Sequence, residues 1–410
     1  MKLLPIIYLI YMFFSIYFLS LFFILYAKNK KNLFNYPVAK KEYTVSFVVP
    51  AYNEGETIKD TIEHIFAVDY KKIEQVIIVN DCSTDNTKEV VEEMQKKYPK
   101  LILINNEKNL GNAARSKNVG LKHATGELIA FVDADSYPAK DSLKKMIGFF
   151  NDEKVGAVTC PILVRGGKTF IERLQAIEYK MIAFTRKLLD YVDAIYVTPG
   201  PLAIYRREAI EQVNGFDGNN MTEDIEITWN LTAKNWERRM CLATEVTTTA
   251  PNKFKDWYKQ RRRWSIGGVQ CVAKYKKDFL KKGMLGMFVL PFFVVQFFLG
   301  LLGLLVFFYL LATDIISNYL LLGYSIPAGV PLLTIDSLFI TPTFLDYLGV
   351  ILFIVGFAFT MFALSIMKKN ALEKQSFFSL MFFSVVYLSV YPFITLSGVY
   401  NYFKGGNKWR

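Results

Sequence analysis

Cysteine and histidine are scarce in this chain: four cysteines (Cys82, Cys160, Cys241, Cys271) and two histidines (His64, His123) among 410 residues. The cysteines lie far apart with no paired spacing, which argues against a zinc site or a disulfide framework and fits a reduced compartment. His64 sits among helix formers and His123, in "GLKHATGE", falls near a helix end, so histidine-based catalysis is not expected. Positive charge is also missing from one long interval. Between Gly283 and Met367 there is no Lys or Arg, only Asp314, Asp336 and Asp346. Such an interval suits two membrane crossings joined by an external loop.

What is present is apolar and basic: 52% of residues are hydrophobic, 16% are aromatic, and the formal net charge is +12. The apolar residues gather at the two ends. The run from Leu3 to Ala27 is long enough to cross a hydrocarbon layer of roughly 30 Å. It exceeds a signal-peptide core and lacks a small-residue cleavage site, so it reads as a retained helix. "KNKK" (Lys28 to Lys31) follows, which places residue 28 onward in the cytoplasm. Lys368, Lys369 and Lys374 mark a return to that side. A further span, Phe377 to Tyr402, ends beside Lys404, Lys408 and Arg410 and makes the C-terminus external. An extra or re-entrant crossing at Tyr319 to Ile340 would reverse that side. The basic residues concentrate at membrane boundaries, where anionic headgroups account for them, so lipid is the expected partner and nucleic acid is not.

The middle of the chain alternates short apolar runs with amphipathic stretches. "TVSFVVP", "QVIIVN", "LILIN" and "ELIAFVD" read as strands, with helices near Thr57 to Ala67, Thr84 to Lys97 and Ala113 to His123. That alternation predicts βαβ units and an α/β domain with a mostly parallel sheet. Ligands in such sheets bind beyond the carboxyl ends of the strands. The residues found there are polar: "PAYNE" (Pro50 to Glu54), "NDCSTDNT" (Asn80 to Thr87) and "DADS" (Asp133 to Ser136). Asp81 and Ser83 could instead cap the next helix. Asp133 and Asp135 flank Ala134 on what reads as an extended segment, so both carboxylates could face one hard divalent cation.

Further on, "TPGPLAIYRREAI" (Thr198 to Ile210) offers Gly and Pro for a close backbone approach. In "NNMTEDIEITWNL", Thr222 is a helix N-cap candidate, with Glu223 and Asp224 in the first turn. In "DWYKQRRRWSIGG", Gln260, Arg263 and Trp264 stand at i, i+3 and i+4 and share a helical face. That face would suit a sugar phosphate and its acceptor, while Arg261 and Arg262 would face lipid headgroups or solvent. From residue 253 to 282 eleven Lys or Arg stand against Asp256 and Asp278, with aromatics interleaved, the composition of an interfacial helix.

"PAYNE", "NDCSTDNT", "DAD", "TED" and "QRRRW", in this order and spacing, resemble the membrane-embedded inverting glycosyltransferases of the GT-A fold. That family includes hyaluronan, chitin, cellulose and poly-N-acetylglucosamine synthases. The resemblance implies a Rossmann-like GT-A domain on the cytoplasmic side of a multi-pass cell-membrane protein. Its expected layout is a helix at 1–27, a basic linker at 28–43, the transferase domain at 44–252 and interface helices at 253–284. About three membrane helices follow at 285–403, then a basic tail at 404–410.

It further implies a metal-dependent inverting hexosyltransferase that moves a sugar from a UDP-sugar to a growing polysaccharide or oligosaccharide, with translocation. A single transfer to a lipid-linked acceptor is the alternative. Carried over by position, Ala51, Tyr52, Glu54 and Asp81 would line the base pocket, and Asp133 would contact the nucleotide. Asp135 would hold Mg2+ or Mn2+. Glu223 and Asp224 would form the catalytic turn, with Asp224 as general base. Gln260, Arg263 and Trp264 would hold the diphosphate and acceptor. Two departures stand out: Cys82 replaces a usual glycine after Asp81, and Asn112 replaces a usual lysine, with Arg115 nearby.

Overall fold

The computed structural model describes residues 3–281, 283–329, 344–367 and 375–405. Ten strands are described: β1 (Val45–Ala51), β2 (Ile73–Asn80), β3 (Leu101–Asn105), β4 (Leu128–Phe131), β5 (Ser136–Pro138), β6 (Val155–Thr159), β7 (Ile162–Val164), β8 (Ala203–Arg206), β9 (Glu237–Met240) and β10 (Val246–Thr248). The helices are α1 (Leu3–Asn29), α2 (Ile58–Phe66), α3 (Thr87–Lys97), α4 (Ala113–His123), α5 (Ser142–Met146), α6 (Phe170–Asp190), α7 (Arg207–Gln212), α8 (Glu223–Ala233), α9 (Phe254–Tyr275), α10 (Leu290–Ser325), α11 (Phe344–Met367), α12 (Phe377–Phe382) and α13 (Tyr391–Phe403).

Seven strands form one sheet in the order β3-β2-β1-β4-β8-β6-β9. β1 pairs parallel with β2 and β4, β2 with β3, and β6 with β9, whereas β8 runs antiparallel to both its neighbours. The expected α/β class and mostly parallel sheet are therefore present. Both faces are covered, which is why β1 and β2 read as unbroken apolar runs. Val45, Phe47 and Val49 enter one core, while Val48, Ile77 and Val79 enter the other. Gly120 lets α4 settle onto the sheet, since a Cβ there would lie 2.3 Å from Val48 Cγ1. A smaller sheet, β5-β10-β7, stands beside the main one.

Among the described residues, four helical segments are long and apolar enough to cross a membrane: Leu4–Asn32, Leu285–Tyr324, Gly349–Met367 and Phe377–Phe403. α10 continues without interruption from Leu290 to Ser325, so the first residues of the apolar stretch beginning at Tyr319 extend that helix. A turn follows at 326–329, while residues 330–340, the cations at 368, 369 and 374, and the basic end at 406–410 lie outside the described residues. α6 packs between these helices and the sheet domain: its Phe184 and Leu188 join Leu25, Ala363 and Met367 in one core. Its Leu174 and Ile177 join Trp257, Leu364, Leu380 and Phe383 in another.

One expectation fails here. Arg261 faces neither lipid nor solvent; it is 1% exposed and paired with Glu178 of α6. Trp257, Arg261, Gly268, Cys271 and Tyr275 form the buried face of α9, and α13 packs along that helix. Gln260, Arg263 and Trp264 line one cavity together, but which residues of α9 meet protein depends on where the later helices lie.

Candidate active site

Because β1, β2 and β4 run parallel, their carboxyl ends open at one edge of the sheet. A cavity of about 460 Å³ lies there. Ala51, Tyr52 and Glu54 reach it from the end of β1, Asp81 from β2, and Asp133 and Asp135 from the turn after β4. Glu223 and Asp224 enter from the start of α8, and Gln260, Arg263 and Trp264 from one face of α9. All eleven residues singled out from the sequence thus line a single cavity, drawn from positions more than two hundred residues apart.

The local geometry differs from expectation in three details. Asp133, Ala134 and Asp135 form a turn, closed by Ser136 N–H donating to Asp133 O at 3.0 Å, and are not an extended segment. Asp81 does not cap α3. Its carboxylate accepts from Asn106 Nδ2 at 2.8 Å and Leu110 N at 2.9 Å, tying down the loop after β3. Thr222 occupies the N-cap position of α8 but makes no capping bond; its N–H and hydroxyl both donate to Asn220 Oδ1.

Neighbouring segments hold the acids in place. Thr248 and Ser136 hydroxyls donate to Asp135 Oδ1 at 3.3 and 3.2 Å, so the small sheet props the turn. The 198–201 loop presses on Asp133 where Gly200 sits: a Cβ there would lie 2.5 Å from Asp133 Oδ2. α9 meets the "TED" turn at Gly267, whose Cβ would lie 2.0 Å from Thr222 Oγ1. Gln270 Oε1 also accepts from Met221 N at 2.8 Å. Asn112 caps α4 by accepting from Arg115 N at 3.0 Å, and Arg115 donates to Leu110 O, which accounts for that departure structurally. Cys82 takes a left-handed φ of 60°, the conformation a glycine at this position adopts without strain.

Electrostatics set the acids apart from one another. Burial pushes Asp135 up to about 7, and the Asp133 and Glu54 carboxylates push the same way. Burial likewise pushes Asp224 up to about 6, reinforced by Glu223 and opposed by Lys117 and Arg263. Burial would raise Glu223 too, but the Lys117 charge and hydrogen bond hold it below the usual range.

Lys117 escaped the reading of the sequence. It stands three residues from both Ala114 and Gly120 on the buried face of α4, 1% exposed. A lysine on an apolar helix face was the available signal. Arg186 and Tyr179 of α6 also line the cavity and carried no motif.

Comparison with known proteins agrees with this architecture. The family model described as "Glycosyl transferase family 2" matches residues 46–213. The poly-beta-1,6-N-acetyl-D-glucosamine synthase of Staphylococcus aureus (strain COL) is 29% identical over 280 residues, 68% of this chain and 66% of that protein. The enzyme of the same name from Staphylococcus epidermidis is 29% identical over 250 residues, 60% of each chain. The chain thus spans just under two thirds of the length of these curated relatives. The solved mannosyltransferase PcManGT from Pyrobaculum calidifontis, in complex with GDP-Man and Mn2+, superposes with a TM-score of 0.59 at 18% identity. That superposition covers 97% of this chain and 99% of PcManGT. The chain therefore carries a glycosyl transferase family 2 domain of the GT-A fold, joined to apolar helices of membrane-spanning length.

Proposed function

We propose that this protein is a membrane glycosyltransferase that transfers N-acetylglucosamine from its UDP conjugate onto a growing β-linked polysaccharide, with inversion. The observation that carries the reading is the convergence of the strand-end acids, the "TED" turn and the Gln260–Arg263–Trp264 face on one cavity. The synthase relatives supply the sugar. The position of the cavity against α6, which itself packs on membrane-spanning helices, supports delivery of the product toward the bilayer from a cytoplasmic site.

The donor nucleotide would lie against Ala51, Tyr52, Glu54 and Asp81, with its diphosphate toward Asp133, Asp135 and Arg263. The acids at this end fit a hard divalent cation. Asp135 is buried beside two carboxylates that repel its charge, and its donors are oxygens. No group of three or more His, Cys, Asp or Glu side chains among the described residues is arranged to hold a metal alone. A cation here would therefore be held by Asp135, and Asp133 beside it, together with phosphate oxygens, as is usual for Mg2+. When bound it would neutralise charge growing on the leaving diphosphate.

Asp224 accepts the proton of the acceptor hydroxyl as that oxygen attacks the anomeric carbon opposite the diphosphate. The bond from the anomeric carbon to the phosphate oxygen breaks, UDP departs, and the anomeric centre inverts. Arg263 meets the departing negative charge. A helix N-terminus by itself would weaken Asp224 as a base. Burial and the Glu223 charge outweigh that effect and leave it a stronger proton acceptor at neutral pH.

The test is purified full-length protein in lipid nanodiscs with single UDP-sugars and Mg2+ or Mn2+, followed by sizing of the product. Elongation from UDP-N-acetylglucosamine is expected, lost on Asp135→Ala with weakened UDP binding and on Asp224→Asn with UDP binding retained. Equal loss of UDP affinity in both variants would overturn the assignment of the base.

A further inference from the structure

α6 turns one face to the cavity: Tyr179, Ile182, Ala183 and Arg186, at i, i+3, i+4 and i+7. Arg186 is only 4% exposed, and its Nε is enclosed without a hydrogen-bond partner. Other buried cations have carboxylates: Lys117 has Glu223 at 2.8 Å, Lys187 has Asp190 at 2.7 Å, Arg238 has Asp193 at 3.4 Å, and Arg261 has Glu178. Arg186 has no ion pair or hydrogen bond among the described residues. A guanidinium taken out of water without compensation is strongly disfavoured. A fold retains one at a cavity wall when something that enters the cavity completes it.

Its surroundings say which part of the cavity that is. The groups acting on Arg186 are Tyr196, Asp224 and Cys160; the carboxylates of the Asp133–Asp135 turn are not among them. Tyr196 rests on Phe292 and Phe293 at the start of α10, with ring centroids 5.9 and 5.1 Å away. Arg186 therefore stands beside the proposed base, at the part of the cavity wall where Tyr196 meets α10. Ile182, Ala183 and Val197 make that part of the wall apolar.

We propose that Arg186 binds the terminal sugar of the acceptor, its guanidinium donating hydrogen bonds to sugar oxygens next to the hydroxyl that Asp224 deprotonates. The inference rests on the transferase reading above. A planar fork of donors on one side and a carboxylate acceptor on the other match neighbouring hydroxyls, each of which both accepts and donates. In a site walled by apolar side chains, water competes poorly for those donors.

The experiment uses full-length protein in nanodiscs with Arg186→Met and Arg186→Lys. It measures UDP affinity by calorimetry, hydrolysis of UDP-N-acetylglucosamine, transfer to a β-1,6-linked N-acetylglucosamine tetrasaccharide, and Tm without ligand. For Arg186→Met, UDP affinity and donor hydrolysis should stay within about twofold of wild type, while the tetrasaccharide KM rises about tenfold or more. Ligand-free Tm should hold or rise, because the lost guanidinium had no ion pair or hydrogen bond among the described residues, and Arg186→Lys should recover part of the acceptor affinity. A parallel loss of UDP affinity would assign Arg186 to the donor diphosphate and overturn the proposal. A lower ligand-free Tm with unchanged tetrasaccharide KM would make it structural and overturn it equally. A wild-type protein that neither binds UDP nor elongates the tetrasaccharide would sink the transferase reading itself, and the acceptor assignment with it.

Discussion

Lys117 Nζ lies 2.8 Å from Glu223 Oε1, and the same ammonium stands 3.5 Å from Asp133 Oδ1. One buried cation thus joins the acids after β4 to the first turn of α8. Its own pKa is pushed up: burial alone would lower it, but the Glu223 and Asp133 charges outweigh burial. Lys117→Met should leave Glu223 buried and unpaired, at a loss of about 3–5 kcal/mol in stability. Denaturant melts of matched nanodisc preparations would measure it, and adding Glu223→Gln should restore part of the loss. An unchanged melt would show that the pair does not hold the site together.

The three consecutive arginines should behave differently. Arg261→Met strands Glu178, which then keeps only the Tyr387 and Tyr391 hydroxyls, and should destabilise by about 3–5 kcal/mol. The double variant with Glu178→Met should recover most of that. Arg262→Met should change stability by no more than about 0.5 kcal/mol and leave elongation intact. Arg263→Met should melt normally but elongate poorly. Equal behaviour of all three in melts and elongation would refute the division of α9 into faces.

The pH dependence follows from Asp224, which burial and then Glu223 raise to about 6. A general base works only when ionised, so elongation with saturating Mg2+ should fall as pH drops through that value. Glu223→Gln removes the neighbouring negative charge and should move the inflection to lower pH. Rate profiles for the two proteins provide the comparison, and an upward shift would contradict the assignment.

Cys82 is exposed and holds φ at 60°. A left-handed conformation costs a residue with a Cβ roughly 1–2 kcal/mol, part of which glycine forfeits through unfolded-chain entropy. Cys82→Gly should therefore stabilise by up to about 1 kcal/mol. Thermal melts would decide; a lower Tm would mean that the thiol contributes contacts beyond its backbone.

Much of the domain could be read locally. β1 and β2 announce themselves as buried runs, and the boundaries of α4 coincide with the Ala113 to His123 stretch, because burial on both faces and helix amphipathicity are written into neighbouring residues. The acids at strand ends were legible for the same reason: a parallel sheet sends every carboxyl end to one edge. Lys117, Arg186 and the burial of Arg261 were not, since each is defined by a partner, or the want of one, on a distant segment.

Taken alone, the order of residues determined the element types, the mostly parallel sheet, the apolar helices and the set of side chains at the cavity mouth. Those are consequences of spacing, and spacing is a local property. Tertiary structure decided which face of α9 meets α13, that Asp133 and Asp135 converge through a turn, and which buried cations find carboxylates. Glu178 lies 83 residues before Arg261 in the chain, and Glu223 lies 106 residues after Lys117. Charge pairing across such separations depends on the packing of whole helices, so it exists only once the chain has closed on itself.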